Sequence, residues 1–330
     1  MTRGLTRSWL IRVAGICMAA TAVVASMAQA AAPAEISIPG ERVFPESITS
    51  SSDGTLYIGS IEKKLIFRVK PGAATAEPWI QPGTDGINMI FGVFADNTSR
   101  TLWACSNLLD SSGSPGAPAA PATLHAFDLK TGTPKGHYLL PTPGGFCNDI
   151  AVGGDDTVYA TDTNNMEIVS LKKGAHTLEV WAGNGAFGPY GGVLDGISVL
   201  GNRVLVNALV TNKLFSVPIE ASGKAGAVIE VKLDRPLEHP DGMRAFGKNS
   251  VLVIEGGSGG RLSKVVLDKD TGTSKSIKEG YPDGAVAVTV VGTTGYVLEG
   301  QLAIMFHPPG NTLPSTPNPF HATSVEVGSP

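Results

Sequence analysis

The chain has 330 residues, 42% hydrophobic and only 16% charged, with 41 glycines and 23 prolines. That is enough apolar chain for a large core, and a formal net charge of −4 with scattered lysines excludes the basic face of a nucleic-acid binder. Many short Val/Ile/Leu/Tyr runs between turn residues, without helical heptads, point to an all-β protein that handles a small molecule or a cation.

Residues 1–30 read as a secretory signal peptide. "MTRGLTRSWLIR" carries three Arg and no acid, "VAGICMAATAVVASM" is a short apolar run, and "AQA" before Ala31 fits a small-residue cleavage site. Cleavage there takes the net charge to about −7 by the same count. The apolar run is too short for a membrane span and no later stretch reaches that length, so the expected location is periplasmic or secreted, with no membrane attachment after signal removal. The oligomeric state is not readable.

Residues 31–330 read as a single domain built on a repeat. The segments "PESITSSSDGTLYIGS" from Pro45, "IFGVFADNTSRTLWACSN" from Ile90, "FCNDIAVGGDDTVYATDT" from Phe146, "VLDGISVLGNRVLVNAL" from Val193, "HPDGMRAFGKNSVLVIEG" from His239 and "YPDGAVAVTVVGTTGYVLEG" from Tyr281 share one strand–turn–strand pattern. Their starts lie 45, 56, 47, 46 and 42 residues apart. A period in the forties with several strands per unit predicts a six-bladed β-propeller of four-stranded antiparallel blades around a central channel. Further strands ("KLIFRVK", "TLHAFDL", "EIVSLKK", "KLFSVPI", "LSKVVLD") follow each pair, and the long second interval holds a Ser/Pro/Ala-rich insertion at 111–122. Two segments compete to close the last blade, 34–40 and 321–327. The Gly-rich stretch 183–192 lacks the Lys and the strand–helix context of a phosphate loop and reads as a connection, and 307–319 reads as a surface crossing. Trp103, Tyr159 and Tyr296 are expected in blade cores.

In a propeller the inner strands line one channel, so residues at their starts converge on one mouth. Those starts carry Glu46, Gly92, Asn148, Asp195, Asp241 and Asp283. A ring of carboxylates in a narrow, partly dry space repels itself unless a cation neutralises it. Carboxylates plus an Asn carbonyl suit Ca²⁺ or another hard divalent ion, whereas zinc would want His or Cys, which these starts lack. Asp-Gly at 241–242 reads as a bend that leaves Asp241 facing the channel. Strand ends returning to the same mouth bring Asn107, Asp162, Asn207, Glu255 and Glu299; Asn107 and Glu299, together with Asp283 of the strand starts, are the substrate-binding or ligand-supporting candidates.

"PES", "CNDIAV", "LDGISV" and "HPDGM" resemble, at the same blade spacing, the calcium-ligand motifs of the SMP-30/gluconolactonase/LRE-like family. The resemblance implies one calcium at the channel mouth, held by Glu46, Asn148 and Asp241, with Asp195 where the family usually has Asn. It further implies hydrolysis of a small-molecule lactone or related ester, with Asp241 as general base. Two departures stand out. Gly145 occupies the place of an Arg found in the sugar-lactone enzymes, and no His stands near Asp283 or Ala285–Val288, where other hydrolases of the superfamily use one. His239, two residues before Asp241, reads as a loop residue. Within this fold Cys105 ends a second strand of blade 2 and Cys147 begins blade 3, so the two are either a disulfide or two buried thiols. The alternative to an enzyme is a non-catalytic propeller in which the ion only ties the blades and the channel face binds a ligand or protein partner.

Overall fold

The computed structural model describes residues 1, 2, 4, 33–109, 118–183, 185–188, 193–256, 259–306 and 316–330. The expected signal peptide lies outside the described residues apart from three positions, as do the body of the insertion at 111–122, half of the segment 183–192 and most of 307–319. One compact unit spans Ala32–Pro330. Its strands form six sheets, five of four strands and one of five, giving the six-bladed propeller that the repeat predicts. In the five-stranded sheet Lys232–Leu233 adds a short parallel edge to Thr271–Glu279. Among the described residues no helix is long and apolar enough to cross a membrane.

The inner strands are Pro45–Ser50, Met89–Asp96, Cys147–Val152, Leu194–Leu200, Pro240–Ala245 and Ala285–Val291. Each packs beside the inner strands of both neighbouring blades, closing a ring. With a blade against each face, these strands are buried along nearly their whole length. An outer strand such as Pro134–Leu139 instead alternates between partly and fully exposed residues, as a sheet with one wet face must. The hydrophobic core is accordingly divided into six packets, one between each pair of adjacent blades. Tyr57 and Ile66 of blade 1, for instance, meet Val93, Ala104 and Phe127 of blade 2. Trp103, Tyr159 and Tyr296 are buried in these packets, as expected.

The two terminal segments do not compete. The last sheet runs, from outside to channel, Glu35–Ile38, Phe320–Glu326, Thr294–Glu299, Ala285–Val291. The C-terminal segment is its third strand and the N-terminal one its fourth, paired antiparallel from Glu35 opposite Thr323 to Ile38 opposite Phe320. The ring is thus closed by main-chain hydrogen bonds between the two ends of the domain, which covers the sheet edge that would otherwise remain.

Cys105 and Cys147 form a disulfide with a Cα–Cα distance of 5.2 Å, joining blade 2 to the start of blade 3 across 42 residues of sequence. Both sulfurs belong to fully buried residues. Closing a loop of that length removes unfolded-state entropy worth roughly 2–4 kcal/mol. The double variant Cys105→Ala/Cys147→Ala should lose stability of that order in denaturant titrations under non-reducing conditions. An unchanged midpoint would show that the bridge contributes nothing.

Candidate metal centre at the channel mouth

Every inner strand begins with a β-bulge. In blade 1 Pro45 pairs with Ser60 and Ser47 with Gly59, so Glu46 has no partner. In blades 3, 4 and 5 the register jumps from Cys147 to Ile150, Leu194 to Ile197 and Pro240 to Met243, each while the second strand advances by two residues. Two residues then face one, which breaks the alternation of sides and turns both toward new directions. The pairs so displaced are Asn148–Asp149, Asp195–Gly196 and Asp241–Gly242. Gly242 therefore does not make the bend that Asp-Gly predicts. It lies within the strand, where a Cβ would stand 2.7 Å from the Val286 carbonyl oxygen of the next blade.

The bulges bring Glu46, Asp195 and Asp241 together, one carboxylate oxygen from each lying within 4.8 Å of the others. Glu46 and Asp195 are buried, and Asp241 is the one that keeps partial access to solvent. Asn148 joins them, its Nδ2 donating to Thr163 Oγ1 at 3.2 Å. Glu46 Oε2, Asn148 Oδ1 and Asp195 Oδ1 are all buried without a hydrogen-bond partner. Buried oxygens are rarely left so, and each costs about 1–3 kcal/mol in a site with nothing to accept from. Three unpartnered oxygens beside a third carboxylate form a donor set that fits a hard divalent cation.

Electrostatics lead the same way. Burial pushes the Glu46 carboxyl well above its ordinary range, and the nearby Asp195 and Asp149 add to the shift while Arg244 opposes it. Burial, then Asp195 and Glu46, do the same to Asp241. Asp195 is pushed up to about 7 by burial and by Asp149, against the hydrogen bonds it accepts from Asn148 and shares with Asp241. Without a cation the cluster must hold protons near neutral pH.

At the corresponding bulge positions blades 2 and 6 carry Phe91 and Val286. Gly92 and Asp283, expected there, do other things. A Cβ on Gly92 would lie 2.2 Å from the Asn148 carbonyl oxygen, so the absent side chain lets blade 2 press against the strand that carries Asn148. Asp283 precedes its strand and clusters instead with Glu299 and His321. Its backbone N–H donates to Glu299 Oε2 at 2.9 Å, its Oδ1 accepts from Asn318 Nδ2 at 2.8 Å, and His321 Nε2 stands 3.0 Å from Glu299 Oε1.

The residues at the ends of the second strands bond the backbone of the mouth. Asn107 accepts from Cys147 N at 3.0 Å and donates to Cys147 O at 2.8 Å, fixing the strand that bears Asn148. Asn207 of blade 4 instead bridges two blades, accepting from Gly196 N of its own blade at 3.1 Å and donating to Asp241 O of blade 5 at 2.6 Å. Asp162 accepts from Phe146 N and Glu255 from Glu238 N. His239 binds Asn212 Oδ1 through its own N–H and makes no part of the cluster. At Gly145 a Cβ would come within 2.6 Å of Asp162 Oδ2, so no longer side chain fits without displacing that carboxylate.

Two functional neighbours escape the sequence reading. Arg244 Nη1 donates to Asp149 Oδ2 at 2.8 Å and Oδ1 at 3.1 Å, and to Met243 O at 2.8 Å. Its Nη2 reaches Val93 O at 3.2 Å and Ser47 Oγ at 3.4 Å, and Asp149 Oδ2 accepts from Ile197 N at 3.2 Å. The Arg244–Asp149 pair thus ties five blades across the channel, four through the guanidinium and blade 4 through Asp149. Strand alternation would send Asp149 away from Asn148's side of the sheet; only the bulge turns it in. His321 is the other, a polar residue at the start of the last blade's third strand, visible only once that strand is assigned.

Neither a protein-family model nor a curated protein matches the chain. Solved structures do resemble it. A structural-genomics protein placed in the gluconolactonase family has a TM-score of 0.62 at 14% identity over 92% of this chain and 99% of its own. A luciferin-regenerating enzyme gives 0.60 at 10% identity over 89% and 95%. A gluconolactonase from Xanthomonas campestris gives 0.57 at 12% identity over 81% and 86%. At such identities these likenesses establish the six-bladed propeller and no more.

Two expectations follow from this geometry. In chelator-treated protein the raised carboxyls bind protons that the unfolded chain releases near pH 4. Stability should therefore fall as pH rises from about 4, through the range near 7 where Asp195 ionises and for as long as Glu46 and Asp241 still hold protons. Saturating Ca²⁺ should abolish the fall, and calorimetry at pH 6.5 in buffers of different ionisation enthalpy should show protons released on binding. A flat pH profile after chelation would contradict the cluster's assignment. Separately, Arg244→Met strands the buried Asp149 charge and should cost about 3–5 kcal/mol, with much of that recovered in Arg244→Met/Asp149→Leu; a double-variant loss equal to the sum of the Arg244→Met and Asp149→Leu losses would mean that the pair is not coupled.

Proposed function

We propose that the protein is an exported, calcium-dependent hydrolase of a lactone or related ester, acting in the manner of the SMP-30/gluconolactonase/LRE-like family. The observation that carries this reading is the convergence of three carboxylates with an Asn carbonyl at a channel mouth, three of their oxygens buried and unpartnered. The fold shared with gluconolactonases and a luciferin-regenerating enzyme supports it. Export is supported by the leader-like residues 1–30 and by the disulfide, which suits an oxidising compartment.

Glu46, Asn148, Asp195 and Asp241 would hold the ion, leaving the remaining positions of a six- to eight-coordinate site for solvent and substrate oxygens. Calcium supplies polarisation of the ester carbonyl and a lowered pKa for attacking water. Asp241 is the residue placed to move a proton. It is the carboxylate with solvent access, and it accepts from Gly242 N through Oδ1 at 2.8 Å, which fixes its rotamer and leaves its other oxygen available. Glu46 and Asp195 lie deeper and serve charge and geometry. The corresponding bulge positions of blades 2 and 6, Phe91 and Val286, are buried in the inter-blade packets and add no ligand, and with no cation at position 145 an uncharged ester would be favoured over an anionic one.

A panel of lactones, aryl esters and organophosphates, assayed before and after chelation, tests the reading. Chelation should abolish lactone or ester turnover and Ca²⁺ should restore it. Asp241→Asn should lower kcat at least about 100-fold while circular dichroism stays native. If chelation and Asp241→Asn lower the melting temperature but leave every hydrolytic activity unchanged, the ion is a staple and the protein is a binding propeller.

A further inference from the structure

Outside the channel mouth, blade 2 carries a second convergence of ligating groups. His125 on the third strand and His137 on the fourth are direct cross-strand partners, so their side chains leave the same face of the sheet. Asp85 comes from the short turn Thr84–Gly86 that leads into the inner strand of the same blade, and its backbone takes a left-handed φ of 53°. Its Oδ2 lies 3.4 Å from His125 Nδ1 and 3.2 Å from His137 Nδ1. One oxygen and two imidazole nitrogens, from three separate segments, all lie within 4.8 Å of one another.

The distances separate two kinds of site. A carboxylate held by imidazole N–H donors closes to about 2.7–2.9 Å, and both contacts are well beyond that. Ligands at about 2.0–2.1 Å on a tetrahedral zinc ion stand about 3.3 Å apart along each edge, and 3.2 and 3.4 Å bracket that value. The His125 ring is buried and stacked against Phe127, with the ring planes 8° apart, so its orientation is fixed before any ion arrives. His137 is exposed and Asp85 half-buried, which leaves a path from solvent to the three groups. The donors are nitrogen-rich, unlike the all-oxygen set at the mouth, and select a borderline transition-metal ion over Ca²⁺.

We propose that Asp85, His125 and His137 form a second metal site, which binds Zn²⁺ or a similar first-row divalent ion and clamps the turn at 84–86 onto the outer strands of blade 2. The site is independent of the channel mouth and of any hydrolytic activity there.

The test uses protein without a polyhistidine tag, stripped with chelator and then saturated with Ca²⁺, titrated with Zn²⁺ by calorimetry and with Co²⁺ by visible absorption. One equivalent of Zn²⁺ should bind, and Co²⁺ should give the intense bands of a tetrahedral site. His137→Ala, at an exposed position that leaves folding unchanged, should weaken Zn²⁺ binding at least about tenfold, as should Asp85→Asn, which tolerates the left-handed backbone. Glu46→Gln/Asp241→Asn should bind Zn²⁺ as the parent does. The proposal is overturned if the Ca²⁺-saturated parent binds no Zn²⁺, if His137→Ala binds it unchanged, or if the mouth double variant is the one that loses it.

Discussion

The constraint on which the rest of this structure depends is the mutual repulsion of Glu46, Asp195 and Asp241 in a place with little water. Carboxylates on separate blades could relax by turning outward. Here each sits in a bulge at the start of an inner strand, and the strands are packed too closely to rotate. The absent side chain of Gly92 lets blade 2 meet the Asn148 backbone, and Gly242 lets blade 5 meet blade 6. Side chains of Asn107 and Asn207 then lock the backbone on which Asn148 and Asp241 are carried. A cluster that must hold protons when no cation is bound is therefore preformed, and the packing of six inter-blade packets holds it so.

The same energy must be kept from leaking away at the seams of the ring. A propeller can open where its ends meet, and here that seam is a four-residue strand pairing between the N-terminal and C-terminal segments. A disulfide fixes the junction of blades 2 and 3, beside Asn148. Across the channel the Arg244–Asp149 pair reaches blades that no covalent link joins. A buried ion pair is a poor source of net stability, and this one is better understood as a register device. Its guanidinium can satisfy carbonyls on three blades only when all are in place.

Much of this was legible in the sequence, for reasons that are physical. The repeat shows because every blade needs the same strand–turn–strand hydrophobic pattern, and Glu46, Asn148, Asp195 and Asp241 show because polar side chains recur at one phase of it. What did not show is set by the bulges. Their size differs between blades, with one unpaired residue in blades 1 and 6 and two facing one in the others. Counting from the strand start therefore pointed to Gly92 and Asp283 where the geometry has Phe91 and Val286. Asp149 was hidden for the same reason, since a period of two predicts the wrong face for it. The two terminal strands were both legible as strands, but only pairing in three dimensions gives each its own place.

The charge balance at the mouth bears on what it can accept. Asp149 and Arg244 cancel, so a dication among Glu46, Asp195 and Asp241 leaves a net charge near −1. An Asn at position 195 would leave it near zero. On the proposed reading, the extra carboxylate would bind the ion more tightly and make it a weaker electrophile, because part of its charge would already be spent on protein oxygens. It also raises the cost of bringing an anion to the mouth, a cost that a nearby guanidinium at position 145 would offset and that Gly145, pressed against Asp162, cannot. If the proposed hydrolysis occurs there, the substrates that would suit such a mouth are uncharged or cationic, with a carbonyl reactive enough to need only modest polarisation. A strained cyclic ester meets that description better than an open-chain one.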